Sequence, residues 1–244
     1  MILSQGAAIA TFAFFNLVYA SFYFTLDTYF EKDDYKRKSW ILTLLSSTGT
    51  SISGICSFLI LLVYGWEDSL VRSGNIFTEL SIIFFMAYLL MDMLIGKLFY
   101  PDYITLKTGM AHHTAFLFIA YTVLSNNVSF VLTLCFVEEV PIVFLTASFL
   151  NKSYRKDLLY GSLYFLTRVV FHSYLVYNAY IRNVSVWIYG IPTGLVHLYC
   201  LSRWVRQQHR LGRFKRLNFL SKSTERKQWG LPLQSRASKQ RRRY

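Results

Sequence analysis

The chain has 244 residues, of which 54% are hydrophobic and 18% aromatic, and its formal net charge is +13. This composition is too apolar for an ordinary soluble domain. The apolar residues come in blocks of about 20, the length that crosses roughly 30 Å of hydrocarbon as a helix, and they lack the alternation typical of membrane β-strands.

The pattern predicts an all-α membrane protein with about seven transmembrane helices, because backbone amides must be paired internally in lipid. The first block has no basic start and no clear small-residue cleavage site, so we expect a retained helix and not a signal peptide. The predicted spans are approximately 3–26, 41–64, 77–99, 108–125, 128–150, 158–180 and 184–205.

The charged loop residues predict the orientation of these spans. With a lumenal N-terminus, nine basic residues fall in the cytosolic loops, and only Arg72 and Arg182 fall in the lumenal ones. This asymmetry follows the positive-inside rule and predicts a cytosolic C-terminus. The nine cytosolic residues are Lys32, Lys36, Arg37, Lys38, Lys97, Lys107, Lys152, Arg155 and Lys156.

The excess positive charge lies in the C-terminal segment. Residues 203–244 hold 14 Lys and Arg against one acid, Glu225, whereas residues 1–202 hold 12 basic and 12 acidic residues. A basic segment after a membrane helix is typical of a cytosolic tail against anionic lipid headgroups. Nucleic acid is therefore not a predicted partner, and residues 212–244 are predicted to form a disordered basic tail.

Two short patterns have a structural and a functional interpretation. Small residues recur at four-residue spacing over Ser46–Gly54, which favours a helix-packing face over a strip that binds substrate hydroxyls. Asn127-Val128-Ser129 and Asn183-Val184-Ser185 fit the glycosylation pattern, but both sit almost at a helix end, which argues against modification.

Ionisable residues inside the predicted spans are the main functional signal, since each costs roughly 2.5–3.5 kcal/mol at a helix centre. A rise of 1.5 Å per residue places Asp92 and His113 roughly 10 and 8 Å from the cytosolic side. It places His197 and Arg168 roughly 12 and 15 Å in, and the two glutamates roughly 18 Å in. Five helices thus carry ionisable groups in the cytosolic half to the middle of the bilayer. We therefore predict one shared cavity, open to the cytosol or the inner leaflet. The set comprises Asp92, His112, His113, Glu138, Glu139, Arg168, His172 and His197, with Tyr121 as a further cavity residue.

Roles within this set remain open in part. Asp92 either orients a histidine or pairs with Lys97 or Arg168. One residue of Glu138-Glu139 faces the cavity and the other pairs with Arg168, and the following Pro141 kinks the span. For His112 and His113, the favoured interpretation is that one imidazole faces the cavity while the other hydrogen-bonds a neighbouring helix, and the alternative is that both are packing residues. Arg168 and His172 are interpreted as cavity residues, and His197 as an interhelical contact.

No metal site is predicted. The side chains of His112 and His113 point about 100° apart on a helix and do not converge on one ion. Cys56, Cys135 and Cys200 form no C-x-x-C pair, which indicates neither a disulfide framework nor a zinc site.

In these features the chain resembles the TLC-domain family, which includes ceramide synthases, translocating-chain-associated membrane proteins and short TLC-domain-containing proteins. The resemblance covers roughly residues 35–211 and is greatest to the short members. It rests on K-R-K-S-W (36–40), AYLLMDML (87–94), AHHTAFL (111–117), E-E-V-P (138–141), LYFLTRVVFH (163–172) and a last helix ending in Trp204 and Arg206.

The resemblance implies a six-helix barrel around a lipid-facing cavity, in the endoplasmic reticulum membrane. It divides the chain into a first helix and loop (1–34), a TLC domain (35–211) and the tail (212–244). In ceramide synthases the paired histidines belong to the acyl-transfer site, a role that would fall on His112 and His113, with Asp92. The H-D-x-x-D element that follows the pair in those enzymes is replaced here by SNNVSFVLTLCFVEEV.

Three functions are therefore considered. The favoured one is a lipid-binding protein of membrane-lipid or sphingolipid homeostasis, without a cofactor. The second is an acyltransferase of the ceramide synthase type, with acyl-CoA as co-substrate, and the third is a cargo receptor or translocation-associated factor. Membrane lipid is the expected partner, and a homodimer is left open.

Overall fold

The computed structural model describes residues 2–72 and 74–212. All regular elements in these two ranges are helices, which confirms the predicted all-α class. The α-helices are α1 (Gln5–Asp27), α2 (Tyr35–Lys38), α3 (Ile41–Tyr64), α4 (Asp68–Val71), α5 (Ile76–Phe99), α6 (Ala111–Ser125), α7 (Ser129–Cys135), α8 (Val140–Leu150), α9 (Asp157–Phe165), α10 (His172–Ile181) and α11 (Trp187–Arg210).

Four helical stretches among the described residues are long and apolar enough to cross a membrane. Large apolar side chains such as Leu17, Val63 and Leu98 are mostly exposed, at 69%, 74% and 74%. Exposed apolar surface of this extent is expected where lipid replaces water. The chain is therefore an all-α membrane protein. The four stretches are Gln5–Asp27, Tyr35–Tyr64, Asp68–Phe99 and Ser129–Leu150.

The remaining three predicted spans, 108–125, 158–180 and 184–205, coincide with helical structure but stay predictions as membrane spans. Two of them include a widened π-helical turn, at Leu106–Met110 just before α6 and at Leu166–Phe171 between α9 and α10. The third, α11, contains Pro192.

Helix α3 lies at the centre of the fold and contacts α1, α5, α7 and α8. The small residues predicted as a packing face are buried there, which confirms that prediction. A Cβ on Gly54 would collide with the backbone nitrogen of Val137. Because only glycine permits this approach, α3 lies directly against the segment that carries Glu138.

Hydroxyl groups on the same face of α3 bind neighbouring helices. Ser57 donates to Thr133 at 3.1 Å and Ser53 donates to Ser81 at 2.7 Å. Interhelical hydrogen bonds of this kind hold helices together in lipid. The hydroxyls are thus used for packing.

The helix that contains Glu138-Glu139 is interrupted at that point. Phe136–Glu139 forms a 3₁₀ turn between α7 and α8, and Pro141 lies in the first turn of α8. Proline is tolerated in a first turn because those amides have no helical partner. The predicted break at Pro141 is confirmed, and it places both glutamates at the junction.

Both Asn-Val-Ser sequences form helix ends. Asn127 and Asn183 each have φ of 55°, and the amides of Val128 and Val184 donate back to Val123 and to Ala179. This is the helix-ending motif in which a left-handed residue precedes a buried apolar one, and asparagine adopts that conformation readily. The backbone therefore accounts for asparagine at both positions.

The described residues form one compact unit that ends at Leu198 and a second that begins at Tyr199. In the first unit, α1 contacts α3 and α5 through the buried side chains of Tyr19 and Tyr23. Of the predicted basic tail over 212–244, only Gly212 lies within the described residues.

Candidate functional site

The first polar group, here called the Asp92 cluster, comprises Asp92, Tyr100 and His113. The Tyr100 hydroxyl donates to Asp92 Oδ1 at 3.2 Å, and His113 Nδ1 lies 3.6 Å from Asp92 Oδ2. The second distance is beyond hydrogen-bond range, and His113 Nδ1 is buried without a hydrogen-bond partner among the described residues. Asp92 thus lies beside His113, as in the predicted alternative in which it orients a histidine, but it makes no hydrogen bond to that ring.

The two adjacent histidines have different environments. His113 is buried against Tyr88, with ring centroids 5.5 Å apart, whereas His112 is exposed and contacts Phe116. His112 also lies within electrostatic range of Arg168 and His197. Of the pair, His112 is therefore the accessible imidazole.

The second group, here called the Glu138 cluster, comprises Glu138, Glu139, Arg168, His172 and His197. Glu138 is 6% exposed, and its two carboxylate oxygens contact different helices. Its Oε1 lies 2.7 Å from His172 Nδ1, and its Oε2 lies 2.8 Å from His197 Nε2. Glu138 thus joins α10 and α11 to the break between α7 and α8.

Arg168 completes this cluster from the π-helical turn between α9 and α10. Its Nη2 donates to Glu139 Oε1 at 2.6 Å, and its Nε donates to the backbone carbonyl of Glu138 at 2.8 Å. The prediction that one glutamate pairs with Arg168 is confirmed for Glu139. Glu138 instead binds two histidines and does not line the apolar groove that lies between α10 and α11, so the prediction that the second glutamate faces a cavity is not borne out there.

The hydrogen bonds of the cluster are satisfied by a neutral set of groups. His172 Nε2 lies 2.8 Å from the Gly190 carbonyl, which can only accept, so this nitrogen carries a hydrogen. Each of the two contacts between Glu138 and a histidine holds one further proton. With His197 Nδ1 unprotonated, the three groups together carry no net charge, whether those protons reside on Glu138 or on the histidines. Glu139 neutralises Arg168, so no isolated charge is buried.

An apolar groove, here called the α10–α11 groove, ends on this cluster. Its volume is about 460 Å³, and Arg168 and His172 lie at its polar end. Glycines at 190 and 194 let α11 approach the side chains of α10 closely, since a Cβ on Gly190 would lie 2.5 Å from Val176 and one on Gly194 would lie 3.2 Å from the His172 ring. The other lining residues are Val169, Ser173, Val176, Tyr177, Tyr180, Trp187, Gly190, Ile191, Gly194, Leu195 and Leu198.

The groove extends along α10 and α11. It runs from Arg168 and Leu198 toward Tyr180 and Trp187, which flank the loop that joins the two helices. The predicted opening of a cavity to the cytosol or the inner leaflet stays a prediction. Glycines 190 and 194 of this groove carry no charge, and residue charge alone gave no sign of them.

Direct contacts place most of the predicted site residues in two groups, and His112 lies within electrostatic range of His113 in the first and of Arg168 in the second. The single shared cavity stays a prediction. Asp92 and His113 form one group, Glu138, Glu139, Arg168 and His172 form another, and Tyr121 on α6 is 63% exposed. His197, read as an interhelical contact, is indeed one, but it is also part of the Glu138 cluster. The sequence signal for this second role was the predicted depth of His197 in the bilayer, which is close to that of Arg168.

Three residues of the Glu138 cluster could serve as metal ligands. The ligand atoms of Glu138, His172 and His197 all lie within 4.8 Å of one another. These residues are far apart in sequence, so their convergence was not visible in the chain. The adjacent histidines His112 and His113 are not part of this set.

Comparisons of the chain with family models, with curated proteins and with solved structures give no match. The TLC-domain resemblance therefore stays a prediction from the sequence.

Proposed function

We propose that this chain is a multi-pass membrane protein of the TLC type that binds one lipid in the α10–α11 groove and acts in membrane-lipid or sphingolipid homeostasis. The observation that supports this most is an apolar groove, in a membrane protein, that ends on a hydrogen-bonded polar cluster. In this proposal seven helices cross the membrane of the endoplasmic reticulum.

The size and lining of the groove suit a lipid chain. Its volume of about 460 Å³ lies within the range of roughly 300–1,000 Å³ typical of small-molecule pockets. Ile191 and Leu195 line it and are 50% and 64% exposed, so the groove is open along its length. A lipid can therefore enter sideways from the bilayer.

The polar end of the groove suits the polar part of the same lipid. Arg168 and His172 both line the groove and are held in place by Glu138 and Glu139. Both ring nitrogens of His172 are used within the cluster. The donor to a carbonyl, hydroxyl or phosphate oxygen is therefore the Arg168 guanidinium, which binds the glutamates through Nε and Nη2 and keeps Nη1 for a ligand. An amphipathic molecule with one chain and an oxygen-rich end fits both parts.

Filling the groove tests lipid binding directly. Ile191→Trp places a large ring in the groove, whereas Ile188→Trp places the same ring on α11 at a residue that is 56% exposed and does not line the groove. We expect native mass spectrometry of gently extracted protein to show a bound lipid in the wild type and in Ile188→Trp. Ile191→Trp should lose most of it.

Equal lipid occupancy in both tryptophan variants, or no retained lipid in the wild type, would contradict the proposal. The role in homeostasis has a separate readout, which is the lipid profile of cell membranes. We expect deletion of the protein to change this profile, wild-type protein to restore it, and Ile191→Trp to fail to restore it.

A second candidate function is acyl transfer of the ceramide synthase type, and the Asp92 cluster is the observation that favours it. Exposed His112 lies beside buried His113, which contacts Asp92. In such a reaction the amine of a sphingoid base would attack the thioester carbon of acyl-CoA, a histidine would take the amine proton, and CoA thiol would leave. Both His112→Ala and His113→Ala should then abolish product formation in microsomes, and unchanged product would exclude this function.

A further inference from the structure

The geometry of the Glu138 cluster points to a ligand beyond lipid. We propose that Glu138, His172 and His197 form a site for one divalent transition-metal ion, for which zinc is the probe. Two imidazoles and a carboxylate are a ligand set that zinc accepts in proteins. This site is independent of whether a lipid occupies the groove.

The ligand atoms are already close to coordinating positions. The Glu138 oxygens lie 2.7 and 2.8 Å from the two histidine nitrogens. Tetrahedral zinc with bonds of about 2.0–2.1 Å separates its ligand atoms by roughly 3.3 Å. An ion therefore fits when each contact lengthens by about half an ångström, a shift within side-chain freedom.

The surroundings hold two of these ligands in orientation. His172 directs Nδ1 at Glu138 because its Nε2 donates to the Gly190 carbonyl, and a ligating histidine usually donates its second nitrogen in this way. The backbone of Glu138 is in turn held by Arg168 Nε. Side chains that are fixed before the ion arrives lose little freedom on binding it.

Charge and protons balance when the ion binds. In the metal-free cluster, Glu138 and the two histidines are neutral together and share two protons across their contacts. In the zinc form both imidazoles are neutral and Glu138 is ionised, because one of the two shared protons moves to His197 Nδ1 and the other leaves the site. One proton is therefore released per ion, and the site gains a single positive charge.

A fourth ligand can reach this ion from the groove. Zinc sites with three protein ligands complete their coordination with water or a substrate atom. Because His172 also lines the α10–α11 groove, an oxygen ligand in the groove lies next to the site. An anionic oxygen there would offset the added positive charge.

Zinc binding can be measured on the full chain, purified in detergent with an affinity tag that contains no histidine. After equilibrium dialysis against zinc, we expect about one zinc per chain by elemental analysis and about one proton released on titration. Glu138→Gln and His197→Gln should each weaken zinc binding at least tenfold, because each removes one ligand. Cobalt substituted for zinc should give the intense visible absorption of four-coordinate cobalt, and the same variants should lose it.

His112→Ala is the matched control, since it removes a neighbouring exposed imidazole that is not a ligand, and it should bind zinc as the wild type does. A thermal unfolding transition identifies variants that remain folded. Less than about a tenth of a zinc per chain in the wild type would overturn the proposal. So would unchanged zinc affinity in folded Glu138→Gln and His197→Gln. Ile191→Trp should keep zinc while it loses lipid, which separates this site from the proposed function.

Discussion

The Asp92 cluster and the Glu138 cluster are both buried polar groups inside an apolar helical protein, yet they are built differently. The Asp92 cluster joins the consecutive helices α5 and α6, and its central contact of 3.6 Å is too long for a hydrogen bond. The Glu138 cluster joins three distant segments through contacts of 2.6–2.8 Å.

The backbone conformation also differs between the two clusters. Asp92 lies inside the regular helix α5, whereas Glu138 lies on a 3₁₀ turn and Arg168 on a π-helical turn. Irregular helix turns are uncommon and are frequently found at functional sites. The Glu138 cluster also borders a groove, and the difference therefore points to it as the part of the molecule that handles a ligand.

The largest effect on stability is expected at Arg168, the only described cation that binds both glutamates of the cluster. Arg168→Met leaves Glu139 and the Glu138 carbonyl without their donor. The pair is partly buried, so its loss should cost about 3 kcal/mol, the lower end of the range for a fully buried pair, to be measured as the loss of unfolding free energy in detergent. The double variant Arg168→Met/Glu139→Gln should regain part of this loss. A loss below about 1 kcal/mol for Arg168→Met, as for a pair fully exposed to water, would contradict this prediction.

The packing of α3 against the segment that carries Glu138 is tested at two glycines of α3. Gly54→Ala places a Cβ against the backbone of Val137, which cannot rotate away, whereas a Cβ on Gly49 meets only the edge of the Phe84 ring. We expect Gly54→Ala to destabilise the protein by about 3 kcal/mol and Gly49→Ala by about 1 kcal/mol. Thermal unfolding of both variants measures the difference, and the reverse order would exclude the close contact at Gly54.

Replacing Glu138 in the Glu138 cluster should lower the unfolding free energy more than replacing Asp92 in the Asp92 cluster. Glu138→Gln keeps the shape but loses two charge-assisted contacts, for an expected cost of about 1.5–3 kcal/mol. The readout is the unfolding free energy of the metal-free protein. A cost under about 0.5 kcal/mol would mean that the two histidines do not depend on this carboxylate.

Asp92→Asn is the matching change in the first cluster and should have the smallest effect. It retains an oxygen that accepts from Tyr100 and disturbs only the long contact to His113. We expect a cost of about 0.5–1.5 kcal/mol in the same unfolding experiment. If Asp92→Asn costs more than Glu138→Gln, the ranking of the two clusters is wrong.

The helices were predictable from the sequence because each apolar block must by itself be long and apolar enough to cross the lipid as a helix. The predicted second span, 41–64, has the bounds of α3, and the break at Pro141 follows from its missing amide. The sequence also indicated which residues on different helices lie at similar levels. Asp92 and His113 were predicted at similar depths in the bilayer, as were Arg168 and the two glutamates, and each set is in contact in the structure.

The rotation of each helix about its axis was not predictable, because it depends on contacts that only the assembled fold provides. Depth suggested one shared cavity, which stays a prediction, but it could not show which of these residues make direct contacts in each of the two clusters. The π-helical turn at Arg168 shifts the register of the residues after it, and no residue of Leu166–Phe171 signals this shift. The groove depends on Gly190 and Gly194, which are conspicuous only once α10 lies beside α11.

Lipid binding in the α10–α11 groove is tested most directly by photo-crosslinking in membranes. A lipid with a light-activated group on its chain is incorporated, and labelled peptides are identified by mass spectrometry. We expect labelling concentrated on Val176, Ile191 and Leu195, which line the groove, and reduced there by Ile191→Trp. Labelling spread evenly over exposed apolar residues such as Leu62 and Leu98, and unchanged in Ile191→Trp, would contradict a specific lipid site.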